Sequence, residues 1–405
     1  MSAGSTRHAK RQKSFSTSKN RCGKGKGFIG KQMKIGLAIY NFNPKKGGAE
    51  RYAHDLSINL LKRGHEVYVF CSRGIEIPGI TLVRLNTMPF PRWLRNLSFA
   101  INHKKYVKVL PLDVTLGFGN TLELDVYQSH GGVHRVWMER EIESYDEPKE
   151  RMLKAIFLKN SVNQKIQKWI AEYPIRSGKY RRIVAISDMV RNHMAEYYEI
   201  KKDTIDIVYN GVDTERFSPA PIKPEGSSKI LFSAGNFRLK GLSPLLLAIG
   251  ELSRETKDFH LFIMGRGRRE RYQNIIDGLN IKKFATFLGE TASPENVYRD
   301  SHILAHPTFY DACSLTTMEA MASGLPTITT KWNGASALIS ESEGYVLEEP
   351  RDVPGLLDAL KALLNEGRRV QMSKNARAKL EQHTIERNVD QMEQIFFEVC
   401  DKRRR

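Results

Sequence analysis

The chain has 405 residues, of which 40% are hydrophobic and 9% aromatic, so it can form two cored domains and wholesale disorder is excluded. No apolar run is long enough to span a membrane, no secretory signal is expected, and four scattered cysteines favour neither a disulfide framework nor a zinc site in a reducing cytosol. The net charge of +19 would attract nucleic acid, anionic membranes or anionic ligands, and the sign alone does not choose among them.

The first segment, residues 1–32, is basic and almost without apolar residues. It contains nine Lys or Arg and no Asp or Glu. We predict a disordered basic extension there, with the folded chain beginning at Met33. A solvated tail without function is favoured over a functional arm.

From Met33 onward, strands and helices alternate. A short apolar strand precedes a turn with Gly47-Gly48, and the next apolar residues recur at helical spacing. Buried-type strands separated by helices predict a parallel sheet covered on both faces. The predicted strands of this first series are Lys34–Ile39, Glu66–Cys71, Asp113–Leu116, Asp125–Ser129 and Arg182–Ile186.

The segment Lys149–Ile170 has a different composition. It places apolar residues on one helical face, with Lys154, Lys159, Lys165 and Lys168 around it, and Arg92–Arg95 is a smaller mixture of the same kind. Such patches suit an anionic membrane surface. An ordinary amphipathic helix packed on the sheet fits equally well.

A second strand–helix series begins near residue 203. The predicted α/β architecture is therefore two doubly wound, Rossmann-like domains facing a central cleft, where ligands bind at the carboxyl ends of the strands. We assign residues 33–202 to the first domain, completed by a helix over 385–405, and residues 203–384 to the second. Its predicted strands are Ile205–Val208, Lys229–Ala234, Phe259–Met264, Phe284–Leu288, His302–His306 and Thr327–Thr329.

The most informative motif follows strand His302–His306 and opens a helix at Ser314-Leu315-Thr316-Thr317. Free amides at such a helix start favour an anion. Asp311, just before it, could accept hydrogen bonds from a sugar, and Glu319 could reach a ribose diol. A purely structural interpretation is also open: Asp311 would be an acidic cap at the start of the helix, and Glu319 a glutamate on the protein surface.

The other candidate residues also stand at strand ends. Arg238 and Lys240 follow Lys229–Ala234 and could neutralise a departing diphosphate. The set also includes glycines, which could let a nucleotide or phosphate approach the backbone, and a histidine at the edge of the cleft. These are Gly47, Gly48, Gly265, Gly267 and His130.

Several motifs are missing from the sequence. No D-x-D pair occurs for a metal-bound nucleotide sugar, and no phosphate-binding P-loop or G-x-S-x-G nucleophile elbow is found. No metal site is therefore expected, and neither a P-loop kinase nor a serine hydrolase.

Together these residues resemble the retaining family-4 glycosyltransferases with the GT-B fold. The resemblance runs from about Met33 to the end, through Gly47-Gly48-Ala49-Glu50-Arg51, Asn210-Gly211-Val212-Asp213, Lys240-Gly241 and Asp311 to Pro326. It implies a nucleotide-sugar donor on the second domain and an acceptor on the first. Lys240, Arg238 and amides near Thr316 and Thr317 would stabilise the leaving diphosphate. Glu319 would hold the ribose, and Asp311 and His130 the sugar. No metal or other cofactor is implied.

Within that family, the chain looks most like the lipopolysaccharide core glucosyltransferases, on the residues Ser129–Arg135 and Tyr310–Leu315. This narrower resemblance implies UDP-glucose as donor, a lipid-linked glycan acceptor, and peripheral attachment to the anionic cytoplasmic face of the inner membrane. A different acceptor, or a nucleotide-sugar epimerase of the same fold, stays open as an alternative. Nucleic acid is not an expected partner, because base-reading motifs are absent.

Overall fold

The computed structural model describes residues 32–221 and 226–404. The predicted basic extension lies outside these residues, except for Gln32. The described chain forms two large parallel sheets, each covered by helices on its two faces. The predicted α/β class with GT-B architecture is confirmed by this arrangement.

The first sheet has seven strands. Its central strands are buried along nearly their whole length, as the continuous apolar runs predicted. With the short pair β2 and β4 beside them, the strands of this half are β1 (Lys34–Ala38), β2 (Asn41–Phe42), β3 (Glu66–Cys71), β4 (Arg73–Gly74), β5 (Ile80–Arg84), β6 (Val114–Gly117), β7 (Val126–Ser129), β8 (Arg182–Ala185) and β9 (Ile205–Ile207). The order in the seven-stranded sheet is β5-β3-β1-β6-β7-β8-β9, and every pairing is parallel.

Six helices connect these strands. They are α1 (Gly48–Lys62), α2 (Arg92–Val109), α3 (His134–Glu143), α4 (Pro148–Asn160), α5 (Val162–Arg176) and α6 (Asp188–Tyr198). Helix α1 buries Tyr52, Leu56 and Leu60, the apolar face that the sequence spacing predicted.

The second sheet has six parallel strands in the order β12-β11-β10-β13-β14-β15. The strands are β10 (Ser228–Ser233), β11 (Phe259–Met264), β12 (Ala285–Gly289), β13 (Ile303–His306), β14 (Thr327–Thr330) and β15 (Gly344–Leu347). In such sheets the order reverses beside the first strand, so the switch points lie between β1 and β6 and between β10 and β13.

The helices of the second half are α7 (Leu242–Glu255), α8 (Glu270–Gly278), α9 (Pro294–Asp300), α10 (Leu315–Ala322), α11 (Val353–Leu364), α12 (Glu366–Leu380) and α13 (Ile385–Arg404). Helix α7 buries ten of its 14 residues because it is apolar on nearly every side and packs against α11 and α8. Helix α13 crosses back to contact α1 and β6 of the first half. Arg63 of α1 pairs with Asp390 and Glu393 of α13.

Two predictions about elements are wrong. Strand Ile205–Val208 was assigned to the second series, but β9 pairs with β8 and forms the edge of the first sheet. Arg182 of β8 reinforces this pairing through Asp206, so the first half extends past residue 202. The single helix predicted over Lys149–Ile170 is two helices, because Ser161 has an extended backbone and its hydroxyl caps α5 at Gln164.

Within residues 32–221 and 226–404, no helix is both long enough and apolar enough to cross a membrane.

Candidate active site

Lys240 and Asp311 meet at the switch point of the second sheet. Lys240 lies in the turn between β10 and α7, and Asp311 in the loop between β13 and α10. Because β10 and β13 are neighbours, the two loops lie together at the carboxyl edge of the sheet. The Lys240 Nζ donates to Asp311 Oδ2 at 2.6 Å and to the carbonyl of Tyr310 at 2.9 Å.

This ion pair is largely enclosed, with the two side chains only 18% and 20% exposed. Burial raises the pKa of the Asp311 carboxyl, but opposing effects, of which the Lys240 charge is the largest, outweigh burial and hold that pKa below its ordinary value. An ammonium has three N–H donors. With two of them engaged, one N–H of Lys240 is left to bind an anion.

The N-terminus of α10 lies directly after Asp311. Ser314 is its cap: its hydroxyl accepts from the Thr317 amide at 3.2 Å, and its carbonyl accepts from the amide of Met318. The Thr317 amide, predicted to face a diphosphate, is therefore already engaged. The amides of Leu315 and Thr316, which precede it, have no acceptor within the helix and are the better placed donors.

Glu319, on the second turn of α10, is buried and holds two partners. Its Oε1 accepts from the Arg51 guanidinium of α1 at 2.6 Å, and its Oε2 accepts from the Tyr298 hydroxyl at 3.1 Å. Burial raises the pKa of the Glu319 carboxyl, and the Arg51 charge opposes that rise. The predicted ribose contact thus requires that this carboxylate exchange a partner. Arg51 belongs to the quoted glycine motif, but its role was not predicted.

Arg238 lies away from Lys240. Its guanidinium donates to Glu141 Oε1 of α3 at 2.7 Å, contacts the Ser144 hydroxyl, and stacks 3.7 Å from the Tyr145 ring centre. The residue predicted to neutralise the diphosphate is therefore part of the contact between the two halves in this structure. The acidic and aromatic partners that hold it lie almost a hundred residues earlier in the chain, so a local motif gives no signal of them.

A cleft of about 210 Å³ opens beside the ends of β10 and β11 and is lined by Gly265, Arg266 and Thr316, among others. Gly265 has a φ of +127°, and a side chain there would collide with the carbonyl of Ala234. Gly267 does not line this cleft. A side chain at Gly267 would instead overlap the ring of Phe237, so packing explains that glycine.

Of the paired glycines in the first half, Gly48 faces the second half, whereas a Cβ at Gly47 would meet Glu50 of α1. Gly47 precedes α1 and Gly48 begins it, and a Cβ at Gly48 would lie 3.6 Å from Leu315 at the start of α10. Nearby, Arg266 donates to the carbonyl of Lys46 at 3.1 Å. The loop before α1 therefore closes over the N-terminus of α10, next to the cleft at Gly265.

His130 lies at the end of β7, on a larger cavity of about 620 Å³ in the first half. Its ring packs 4.8 Å from that of Tyr52. Burial lowers the pKa of His130 to about 4, with a smaller opposing effect from Asp311, so the imidazole is neutral at pH 7. The His130 Nδ1 is buried without a hydrogen-bond partner, which leaves it available to a ligand.

Tyr310 joins this cavity to the Lys240–Asp311 pair. Its backbone carbonyl binds Lys240, and its hydroxyl packs directly on Gly132, where any side chain would overlap it. Gly132 also has a φ of +75°. The sequence showed Tyr310 only as part of a motif, and its contact with the paired glycines was not predicted.

Over the described ranges, no group of three His, Cys, Asp or Glu side chains is arranged to hold a metal ion. Lys240, Arg266 and the amides of Leu315 and Thr316 are cationic or donor groups that this part of the molecule offers to a ligand diphosphate, whereas Arg51 is held by Glu319.

Two Rossmann-like halves are the architecture of the GT-B fold, and the lysine–carboxylate pair lies at a switch point, where ligands of such sheets bind. A model of the family described as Glycosyltransferase Family 4 matches residues 46–216, and one described as Glycosyl transferases group 1 matches residues 213–379. The chain belongs to the family-4 glycosyltransferases of GT-B fold.

Individual relatives are distant. The lipopolysaccharide glucosyltransferase WaaG of Escherichia coli K12 is 20% identical over 367 residues, which cover 85% of this chain and 93% of that protein. A WaaG crystal structure superposes with a TM-score of 0.73 at 18% identity, covering 89% of this chain and 99% of WaaG. The D-inositol 3-phosphate glycosyltransferase of Corynebacterium kroppenstedtii is 25% identical over 217 residues, 48% of each protein. Anabaena HepE, solved with UDP and glucose, gives a TM-score of 0.66 at 16% identity, covering 90% of this chain and 99% of HepE.

Proposed function

We propose that this glycosyltransferase transfers a hexose, glucose in the first instance, from a UDP-sugar to a lipid-linked glycan of the lipopolysaccharide core, with retention of anomeric configuration and without a metal or other cofactor. The observation that carries the proposal is the Lys240–Asp311 pair at the second switch point. It is linked through Tyr310 to Gly132, which lines the cavity at His130, and it precedes Thr316, which lines the cleft at Gly265. The cleft at Gly265 suits a nucleoside, and the cavity at His130 suits an acceptor. The likeness to WaaG and to HepE supports the choice of donor and acceptor.

In this proposal, the donor diphosphate lies between Lys240 and the amides of Leu315 and Thr316. The free N–H of Lys240 stabilises the charge that develops on the phosphate as the bond from sugar C1 to the phosphate oxygen breaks. Asp311 keeps the lysine oriented and accepts hydrogen bonds from the sugar hydroxyls. Glu319 takes the ribose diol after releasing Arg51.

The groups that face the acceptor support retention. The residues that line the His130 cavity, all within the described ranges, include no Asp or Glu that could act as a base or nucleophile. The acceptor oxygen therefore attacks C1 from the face that the phosphate leaves, and its proton passes to the departing phosphate oxygen. Neutral His130 binds a sugar hydroxyl without adding charge. Closure of the two halves over the bound donor excludes water, which would otherwise hydrolyse it.

We also propose that the protein works as a peripheral protein on the anionic cytoplasmic face of the inner membrane. Four apolar side chains of α4 are half exposed or more: Met152 (57%), Leu153 (55%), Ile156 (52%) and Phe157 (62%). Two interpretations of this segment were open, contact with a membrane or packing on the sheet. The exposed apolar side chains of α4 are not packed on the sheet. Lys159 and Lys165 lie exposed beside it and suit anionic headgroups. Lys154 is turned inward to Glu141, so its predicted role at a membrane is not part of the proposal.

The test is to incubate the protein with UDP-glucose and heptose-terminated, core-truncated lipopolysaccharide, and to follow UDP release and acceptor mass. We expect a hexose mass gain with the same anomeric configuration as the donor. Glu319→Gln should lower turnover at least tenfold, because a neutral amide binds a ribose diol less strongly than a carboxylate.

Glu348→Gln is the matched control, because Glu348 is exposed and pairs only with a surface lysine, Lys331. It should leave turnover unchanged. UDP release with no gain in acceptor mass would contradict the acceptor, and an inverted product would contradict the same-face attack.

A further inference from the structure

The cavity at His130 has a one-sided charge. Its wall includes Tyr40, the chain after β6 and β7, the start of α3, and helices α2 and α5, which pack on each other. Arg92 and Arg95, one turn apart on α2, both line it. All of the lining residues lie within the described ranges, and they include no Asp or Glu. The sequence left Arg92–Arg95 open between a membrane patch and an ordinary amphipathic helix, and the structure places these two arginines on a cavity wall.

Arg92 is exposed and Arg95 is partly buried, and both differ in their partners from several partly buried arginines of the chain. Arg51, Arg140, Arg182 and Arg238 each hold a carboxylate. Neither Arg92 nor Arg95 forms an ion pair with any residue that the structure describes. Moreover, Arg95 Nε is buried without a hydrogen-bond acceptor. A buried guanidinium N–H without a partner is costly, and an anion in the cavity would supply that partner.

Neutral hydrogen-bonding groups lie on the same wall. Asn120 Oδ1 and His130 Nδ1 are both buried without partners, and Gln167 also lines the cavity. Such amide and imidazole groups suit the hydroxyls of a sugar. The volume of about 620 Å³ falls within the range of small-ligand sites, about 300–1,000 Å³.

We propose that the acceptor sugar bound in this cavity carries a phosphate, which Arg92 and Arg95 recognise, and that the neutral side chains around His130 hold its hydroxyls. This rests on the proposed function, since it takes the cavity to be the acceptor site. Two arginines on successive turns match the charge of a phosphate monoester, close to −2, better than that of a carboxylate, which a single guanidinium can satisfy. The phosphate can belong to a lipid-linked glycan or to a free sugar phosphate.

The first test measures binding without turnover. With the donor site filled by saturating UDP, ligand-observed NMR compares glucose 6-phosphate with glucose. We expect the wild type to prefer the phosphorylated sugar by about tenfold or more, the effect of one charge-assisted hydrogen bond. Arg92→Gln/Arg95→Gln should abolish this preference, and Arg95→Lys should retain part of it. Lys105→Gln, which removes an exposed charge from the same helix, should retain all of it.

The second test measures transfer. The core-truncated lipopolysaccharide is used as prepared and after phosphatase treatment, with free glucose 6-phosphate as a third acceptor. We expect Arg92→Gln/Arg95→Gln to raise KM about tenfold or more for the phosphorylated acceptor, with little change for the dephosphorylated one. The acceptor that shows this difference identifies the source of the phosphate.

The outcomes separate the two proposals. An equal preference for glucose and glucose 6-phosphate, or one that persists in Arg92→Gln/Arg95→Gln, overturns the phosphate site. An arginine-dependent preference together with no transfer to any lipopolysaccharide supports the site and overturns the proposed acceptor. An equal loss of transfer with phosphorylated and dephosphorylated acceptors shows a merely structural role for the arginines and overturns the inference.

Discussion

Removal of the Lys240 ammonium tests the proposed chemistry most directly. Lys240→Met keeps the aliphatic part of the side chain and deletes the charge. If about half a unit of charge develops on the leaving phosphate roughly 3 Å from the ammonium, an effective dielectric constant of about 20 gives a loss near 3 kcal/mol. That corresponds to about a hundredfold in rate, within the range of about 10²–10³ seen when one donor to a developing anion is removed.

The assay must separate rate from binding. We expect kcat for UDP release at saturating substrates to fall about a hundredfold, while uridine, which has no phosphate, binds as it does to the wild type. Lys361→Met is the control, because Lys361 pairs with Glu255 at 2.6 Å on the surface of α11 and α7. A kcat within threefold of wild type, or a loss of uridine binding that parallels the loss of rate, would refute leaving-group stabilisation by Lys240.

The same variant changes the titration of Asp311. In the wild type, the pKa of this carboxyl is held below its ordinary value, so its ion pair stabilises the fold at neutral pH and that contribution is lost as the pH falls through the lowered pKa. Without Lys240, burial raises the pKa, and the variant's deficit in unfolding free energy should shrink on acidification. Lys240→Met/Asp311→Asn should regain stability at pH 7 but not kcat. A double variant that regains kcat would refute this separation of roles.

Three further changes have defined outcomes. Arg51→Ala should free Glu319 for ribose and strengthen UDP binding several-fold by calorimetry while lowering the unfolding free energy by about 3 kcal/mol; weaker UDP binding would instead place Arg51 in the donor site. Phe157→Ser should weaken sedimentation with anionic vesicles about tenfold. The control Val370→Ser, at an exposed position of α12, should sediment as the wild type does. If Phe157→Ser also sediments as the wild type does, membrane contact through α4 is contradicted. Burial lowers the pKa of His103 to about 3, so the unfolded chain binds a proton that the folded chain excludes, and the unfolding free energy rises with pH between about 3 and 6.5. In urea unfolding, His103→Phe should remove up to about 1.4 kcal/mol per pH unit of that slope. An unchanged slope would show that His103 is protonated in the fold.

The convergence of Lys240 and Asp311 could be predicted from the sequence because it depends on strand order alone. Both residues follow strands of a doubly wound sheet, and such sheets bring the carboxyl ends of β10 and β13 together. The position of His130 at a cavity follows from the same rule, since it ends β7. Long apolar runs and glycine turns were sufficient for these assignments.

The side-chain partners could not be predicted in this way. Arg238 stands two residues from Lys240, yet Glu141 of α3 holds it across the contact between the halves. Such a contact depends on how two separately predicted domains dock, and local spacing carries no information about docking. For the same reason, β9 was assigned to the wrong sheet. Its strand pattern was clear, but whether it paired with β8 or began a new sheet is a question of tertiary packing.

The distribution of paired and unpaired cations distinguishes the two substrate sites. On the donor side, Lys240, Arg51 and Arg266 each already hold a carboxylate, Asp311, Glu319 and Glu290 respectively. A donor diphosphate entering there must share or exchange those partners, so its binding is coupled to rearrangement of the contact that Arg51 makes between the halves. On the acceptor side, Arg92 and Arg95 hold no carboxylate among the residues described, so an anion can bind them without displacing one. The positive net charge of the sequence could not distinguish the donor side from the acceptor side, because a cation attracts an anionic ligand most strongly where the fold supplies no carboxylate to pair with it.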